Sequence, residues 1–185
     1  AAPNAWSLNT VKSIFEAASE LKAPVIIDGA GIHQIEEISD AVHFYEKKFP
    51  EVTAALNLDH GGPFEEIIQA IRCGYTSVMV DRSTLTFEEN VREVAEIVKI
   101  AHAVGVSVEA ELGSLALGEH SNETDIDHGE AYTNPDNAAD FVNMTGVDAL
   151  AVSIGTVHGM YKAKPNIRID ILKEISQHVS IPLVL

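Results

Sequence analysis

Val52-Thr53-Ala54-Ala55-Leu56-Asn57-Leu58-Asp59-His60-Gly61-Gly62 joins an apolar run to an acid, a histidine and two glycines. The run reads as a strand over residues 52–58, and its polar residues gather at the C-terminal end. The same design recurs along the chain. Short apolar, β-branched runs predict strands at 24–28, 77–81, 107–112, 148–153 and 181–185, and residues 3–6 read as the remainder of an earlier one. Asp28, Asp81, Glu109 with Glu111, and Ser153 all stand at or near the C-terminal ends of these runs.

Between the strands the spacing changes from two to between three and four. Leu8, Val11, Phe15 and Ala18 form one apolar stripe; Ile35, Ile38, Val42 and Tyr45 form the next. Phe64, Ile67, Ile68 and Ile71 make a third, and Phe87, Val91, Val94, Val98 and Ala101 a fourth, each the mark of a helix lying on a sheet. Thr86 with Glu89 has the capping-box pattern, Pro63 and Pro135 suit first-turn positions, and Gly74, Gly105 and Gly146 suit helix C-termini.

Alternating strands and helices imply a parallel α/β sheet. With no long linker or repeat, residues 1–185 are expected to form a single (β/α)8 TIM-barrel domain. The barrel is expected to be incomplete, with about the first seven strands present and both ends truncated. The competing architecture is an open doubly wound sheet. That fold concentrates its chemistry at a glycine-rich turn after its first strand, and Gly29-Ala30-Gly31 is too short to be a GxGxxG motif. Polar residues at the C-terminal ends of many strands suit a barrel, where those ends share one mouth.

The formal net charge of −16 repels nucleic acid and anionic membranes, so neither is expected as a partner. A phosphorylated substrate must then be held by local cations or backbone amides. Lys162 and Lys164 are the cations nearest the histidine segments. No apolar run approaches the roughly 20 residues that span a bilayer. The single cysteine, Cys73, forms no internal disulfide, suits a reducing cytosol and reads as a small buried residue at a helix end.

His60 and His158 each follow a β-like run, where a rigid backbone can aim an imidazole at a metal. The alternative for His60 is a turn, and for His158 a solvated loop. Asp59 reads either as a general acid/base or as a helix N-cap near Pro63. Glu109 and Glu111 alternate onto one side of their strand, where burial without a function is costly. Glu119 and Lys162 read as surface charges from their own surroundings. About twenty residues follow Leu112 before the next helix, and a connection of that length usually serves as a lid.

Three segments carry a family resemblance: Asn57-Leu58-Asp59-His60-Gly61, Ser107-Val108-Glu109-Ala110-Glu111-Leu112-Gly113 and Gly155-Thr156-Val157-His158-Gly159. Tyr75 to Asp81, Phe87 to Asn90, Glu130 to Thr133 and Thr145 to Ala151 add to it in the same order. Together they resemble the class II, zinc-dependent fructose-bisphosphate and tagatose-bisphosphate aldolases. The resemblance implies a cytoplasmic lyase of carbohydrate metabolism, glycolysis included. It would act as a homodimer or homotetramer on a phosphorylated ketose.

By the resemblance, His60 and His158 are two of three zinc ligands, with Asp81 and Glu111 at a neighbouring metal position. Asp59 exchanges the proton of the substrate C4 hydroxyl, and Glu119 moves the proton at C3. Gly159 and Lys162 belong to the phosphate grip, and the backbone at Val157 and Gly159 to a monovalent cation site for Na⁺ or K⁺. The family's third zinc histidine normally follows a strand like 181–185, so activity is expected only if the working polypeptide supplies it. Without it the expectation is a non-catalytic sugar-phosphate or metal-binding relative. Arg82 replaces a residue that is usually small or apolar in the family. Asp28-Gly29-Ala30-Gly31 is nearer the tagatose-type strand end than the fructose type.

Overall fold

A computed structural model describes residues 1–31, 34–113, 116–117, 132–158 and 164–185. In chain order the strands are β1 (Val25–Ala30), β2 (Ala54–Asp59), β3 (Ser77–Val80), β4 (Ser107–Leu112), β5 (Ala116–Leu117), β6 (Ala149–Val152), β7 (Val157–His158) and β8 (Leu183–Val184). The helices are α1 (Leu8–Leu21), α2 (Ile35–Lys48), α3 (Phe64–Cys73), α4 (Phe87–Ala103), α5 (Pro135–Thr145) and α6 (Ile169–His178).

Six strands join in the order β1-β2-β3-β4-β6-β8. The β1–β2, β2–β3, β4–β6 and β6–β8 ladders are parallel. Strand order follows chain order without a reversal. A doubly wound sheet needs a switch point where the order reverses, so this is the ordering of a (β/α) barrel.

The residues pack as two compact units. One holds Ala1–Val80 with Ala101–Val108. Its core is built from the expected stripes: Val11 and Phe15 of α1, Ile38 and Val42 of α2, and Ile67 of α3 are buried with Ile27, Leu56 and Leu58 of the strands. Phe15 meets Tyr45 at 6.1 Å and Phe49 at 6.0 Å between ring centroids, within the range of favourable aromatic pairing. The other unit holds Asp81–Ile100 with Glu109–Leu185. Phe141, Leu150, Ile154 and Ile175 are its largest fully buried side chains, and Phe87 meets Phe141 edge-on at 6.1 Å.

The helix ends follow their sequence signals. Ser7 accepts from the Thr10 amide, and Thr86 and Glu89 exchange the reciprocal bonds of a capping box. Asn134 caps α5 ahead of Pro135, while Gly74 and Gly146 close α3 and α5 in the left-handed conformation. Pro63 stands one place earlier than expected, at the N-cap of α3.

Three expectations change. Residues 3–6 contribute only a single bridge, Asn4 to Asp28, rather than a strand. Cys73 is half-buried, with its thiol pushed up by burial. The connection after Leu112 is not structureless throughout, because β5 lies within it and pairs in parallel with β7. No helix among the described residues is long and apolar enough to cross a membrane.

Candidate active site

The β1–β2 register sets Asp28 beside Asn57 and Ala30 beside Asp59. Asn57 and Asp59 are two residues apart on one strand and so face the same side. The Asn57 Nδ2 group donates to Asp28 Oδ1 at 3.0 Å in a buried hydrogen bond. Burial pushes the Asp28 carboxyl up to about 6, with nearby Asp59 adding to the rise; the Asn57 hydrogen bond and His60 oppose it.

The folded protein therefore holds the Asp28 proton more tightly than the unfolded chain does. Stability from this group is full below about pH 4 and is lost as pH rises to about 6. Asp28→Asn in metal-free, chelator-treated protein should be the more stable form at pH 8, by roughly 3 kcal/mol at most, and should lose that advantage at pH 4. Denaturant midpoints at the two pH values measure it; an equal difference at both would refute it.

Asp59 ends β2, and α3 begins after Pro63 with no side-chain cap bond, so Asp59 is not the cap of that helix. His60 follows with φ of 58°, a left-handed conformation uncommon outside glycine. Gly61 comes next, and a Cβ there would overlap the Met79 carbonyl oxygen of β3. The chain thus turns sharply off the strand while pressed against its neighbour. Strain of this kind persists where surrounding structure enforces it, and it gathers at functional positions. Asp59 Oδ1 and His60 Nε2 are 4.0 Å apart, too long for a hydrogen bond.

Asp81 follows β3 directly and accepts from the Ser83 amide at 2.9 Å. Arg82 donates to the Asp81 carbonyl at 2.6 Å and to Glu93 at 2.9 Å, so Glu93 holds part of its charge. Glu111, near the end of β4, is 3 % exposed, and Asn90 of α4 donates to its carbonyl at 3.0 Å. Asp81 and Glu111 belong to one unit, and a carboxylate oxygen of one lies within 4.8 Å of a carboxylate oxygen of the other. Two close carboxylates are donors that divalent metals accept, and a buried carboxylate such as Glu111 needs compensating charge.

The whole of residues 1–185 matches the family model for class II fructose-bisphosphate aldolase. The chain belongs to the class II fructose-bisphosphate aldolase family. It is similar to the crystal structure of the YdjI aldolase from Escherichia coli K12, with 36% identity and a TM-score of 0.84 over 100% of this chain and 65% of that one. It is also similar to the fructose-bisphosphate aldolase Fba from Campylobacter jejuni, with 26% identity and a TM-score of 0.76 over 96% of this chain and 59% of that one. The chain thus spans 65% and 59% of the lengths of these two aldolases. Its α/β fold is that of an incomplete aldolase barrel.

Of the residues expected at the aldolase site, Asp81 and Glu111 are close together, and Asp59 precedes His60 at the end of β2. Val157 and His158 form β7, in register with Ala116 and Leu117. Glu119, Gly159 and Lys162 lie outside the described residues. Asn90 and Thr133 hold positions in the site region that their residue types alone do not mark. Asn90 is three residues from Phe87 and four from Val94, so its polar group falls on a buried helix face, a signal available in the spacing. Thr133 Oγ1 donates to the Leu112 carbonyl at 2.5 Å and accepts from the Ser153 amide at 2.8 Å, clamping the ends of β4 and β6. No local pattern announces that clamp.

Proposed function

We propose that the complete protein is a metal-dependent ketose-bisphosphate aldolase. It cleaves fructose- or tagatose-1,6-bisphosphate reversibly to dihydroxyacetone phosphate and glyceraldehyde 3-phosphate. The observation that carries this reading is the match of the chain to the class II family from end to end, with Asp59 and His60 together at one strand end and Asp81 close to Glu111. The proposed metal is zinc, held by His60, His158 and a third histidine, with Asp81 and Glu111 serving the neighbouring position. Zinc supplies Lewis-acid stabilisation of the charge that develops when the bond beside the ketone breaks.

Asp59 takes the proton of the C4 hydroxyl as the C3–C4 bond breaks and returns it in condensation. Glu119 delivers the proton to C3 and removes it in the reverse direction. Gly159 and Lys162 bind a substrate phosphate, and the carbonyls of Val157 and Gly159 hold Na⁺ or K⁺. The proposed setting is cytoplasmic, as a homodimer or homotetramer.

Full-length protein should cleave at least one of the two bisphosphates, lose that activity with EDTA, and regain it with zinc. Cleavage indifferent to the chelator would overturn the metal-dependent reading. Binding of the sugar phosphate without turnover would instead identify a non-catalytic relative.

A further inference from the structure

The proton-transfer and metal residues leave one buried polar pair without a task. Asp28 is 9 % exposed and Asn57 6 % exposed. Their hydrogen bond fixes the amide, because a carboxylate oxygen accepts and only Nδ2 can donate to it. Asn57 Oδ1 is thereby turned away from Asp28, and among the described residues this buried oxygen has no hydrogen-bond partner. A buried carbonyl left unsatisfied is costly, and a donor from a bound ligand would relieve that cost.

The strand register relates this oxygen to Asp59. Asp28 with Asn57 is one rung of the β1–β2 ladder, and Ala30 with Asp59 is the rung two residues nearer the strand ends. Rungs of this kind are about 7 Å apart along the strands. On the rung carrying Asp59, the neighbouring side chain is only the methyl group of Ala30. We propose that Asn57 Oδ1, oriented by Asp28, is a substrate-hydroxyl subsite that accepts a hydrogen bond from a polyol chain whose reacting hydroxyl is at Asp59. Asn57 is the specificity-determining residue and Asp28 its positioning residue. The proposal rests on the aldolase reading for the class of ligand, a phosphorylated polyhydroxy chain, but its test does not require turnover.

The probes are a hexitol 1,6-bisphosphate, which cannot be cleaved, and its single-deoxy analogues, titrated calorimetrically into zinc-loaded full-length protein. One deoxy analogue should bind about tenfold more weakly than the parent, the value of one net hydrogen bond. Asn57→Ala should weaken the parent about tenfold and leave that analogue unchanged. Asp28→Asn, which frees the Asn57 amide to reverse, should reduce the discrimination while the fold persists.

The subsite is overturned if every deoxy analogue binds wild-type protein within twofold of the parent, or if the parent does not bind. It is equally overturned if the variants weaken all ligands by one common factor. Should Asn57→Ala fail to fold, the wild-type series and Asp28→Asn still decide. Discrimination without any bisphosphate cleavage would sink the aldolase reading and leave the subsite standing.

Discussion

Asp59→Ala in the full-length protein is expected to lower kcat for ketose-bisphosphate cleavage by about 10²- to 10⁴-fold, the range for losing a positioned acid/base. Zinc content and thermal stability should change little. Asp59 is a quarter exposed, ends its strand, and makes no cap to α3, so its removal leaves neither a large cavity nor an uncapped helix. Steady-state rates and metal analysis on the same preparation separate the two effects. Turnover within tenfold of wild type would remove Asp59 from the proton-transfer role, and loss of zinc in step with kcat would make it a metal-site residue instead.

The second large effect concerns the turn itself. Gly61→Ala places a methyl group on the Met79 carbonyl oxygen, with Ile67 Cγ1 only 3.2 Å from the new atom. The obstruction is backbone, which cannot rotate away as a side-chain tip can. Overpacking of this kind is expected to destabilise the protein by ~3 kcal/mol, or roughly 6–12 °C in Tm for a domain of this size. Relief requires Gly61 to move off β3 and to carry His60 with it. Zinc affinity should therefore fall by about 10- to 100-fold, as when the support of a ligand is lost. A variant that melts within 2 °C of wild type and titrates normally with zinc would show that the turn has room the close approach denies.

Much of this geometry is local and therefore legible in the sequence. The alternation that predicts a strand at 107–112 matches β4 to the residue, because one period of two runs unbroken between Val106 and Gly113. The predicted strand at 52–58 is observed as Ala54–Asp59, since the ladder continues through the acid, whose register partner is Ala30. Polar residues at strand ends pointed to Asp81 and Glu111, and these two carboxylates lie close together.

What stayed hidden depends on register between distant segments. The bond between Asp28 and Asn57 joins residues 29 apart, and no spacing within either strand announces it. The need for glycine at position 61 is set by Met79 on another strand, so it has no local signature. The two-residue β5–β7 ladder is too short to show any period at all.

That short ladder also constrains how such a chain can diverge. Ala116 and Leu117 are in register with Val157 and His158, and Glu119 is only two residues beyond Leu117 in the sequence. A single-residue insertion or deletion between β4 and β5 would slip the backbone register of the pair. Length changes on that side therefore call for a matching change between β6 and β7. The two connections are expected to vary as one heritable unit, and engineered loop grafts should exchange both together.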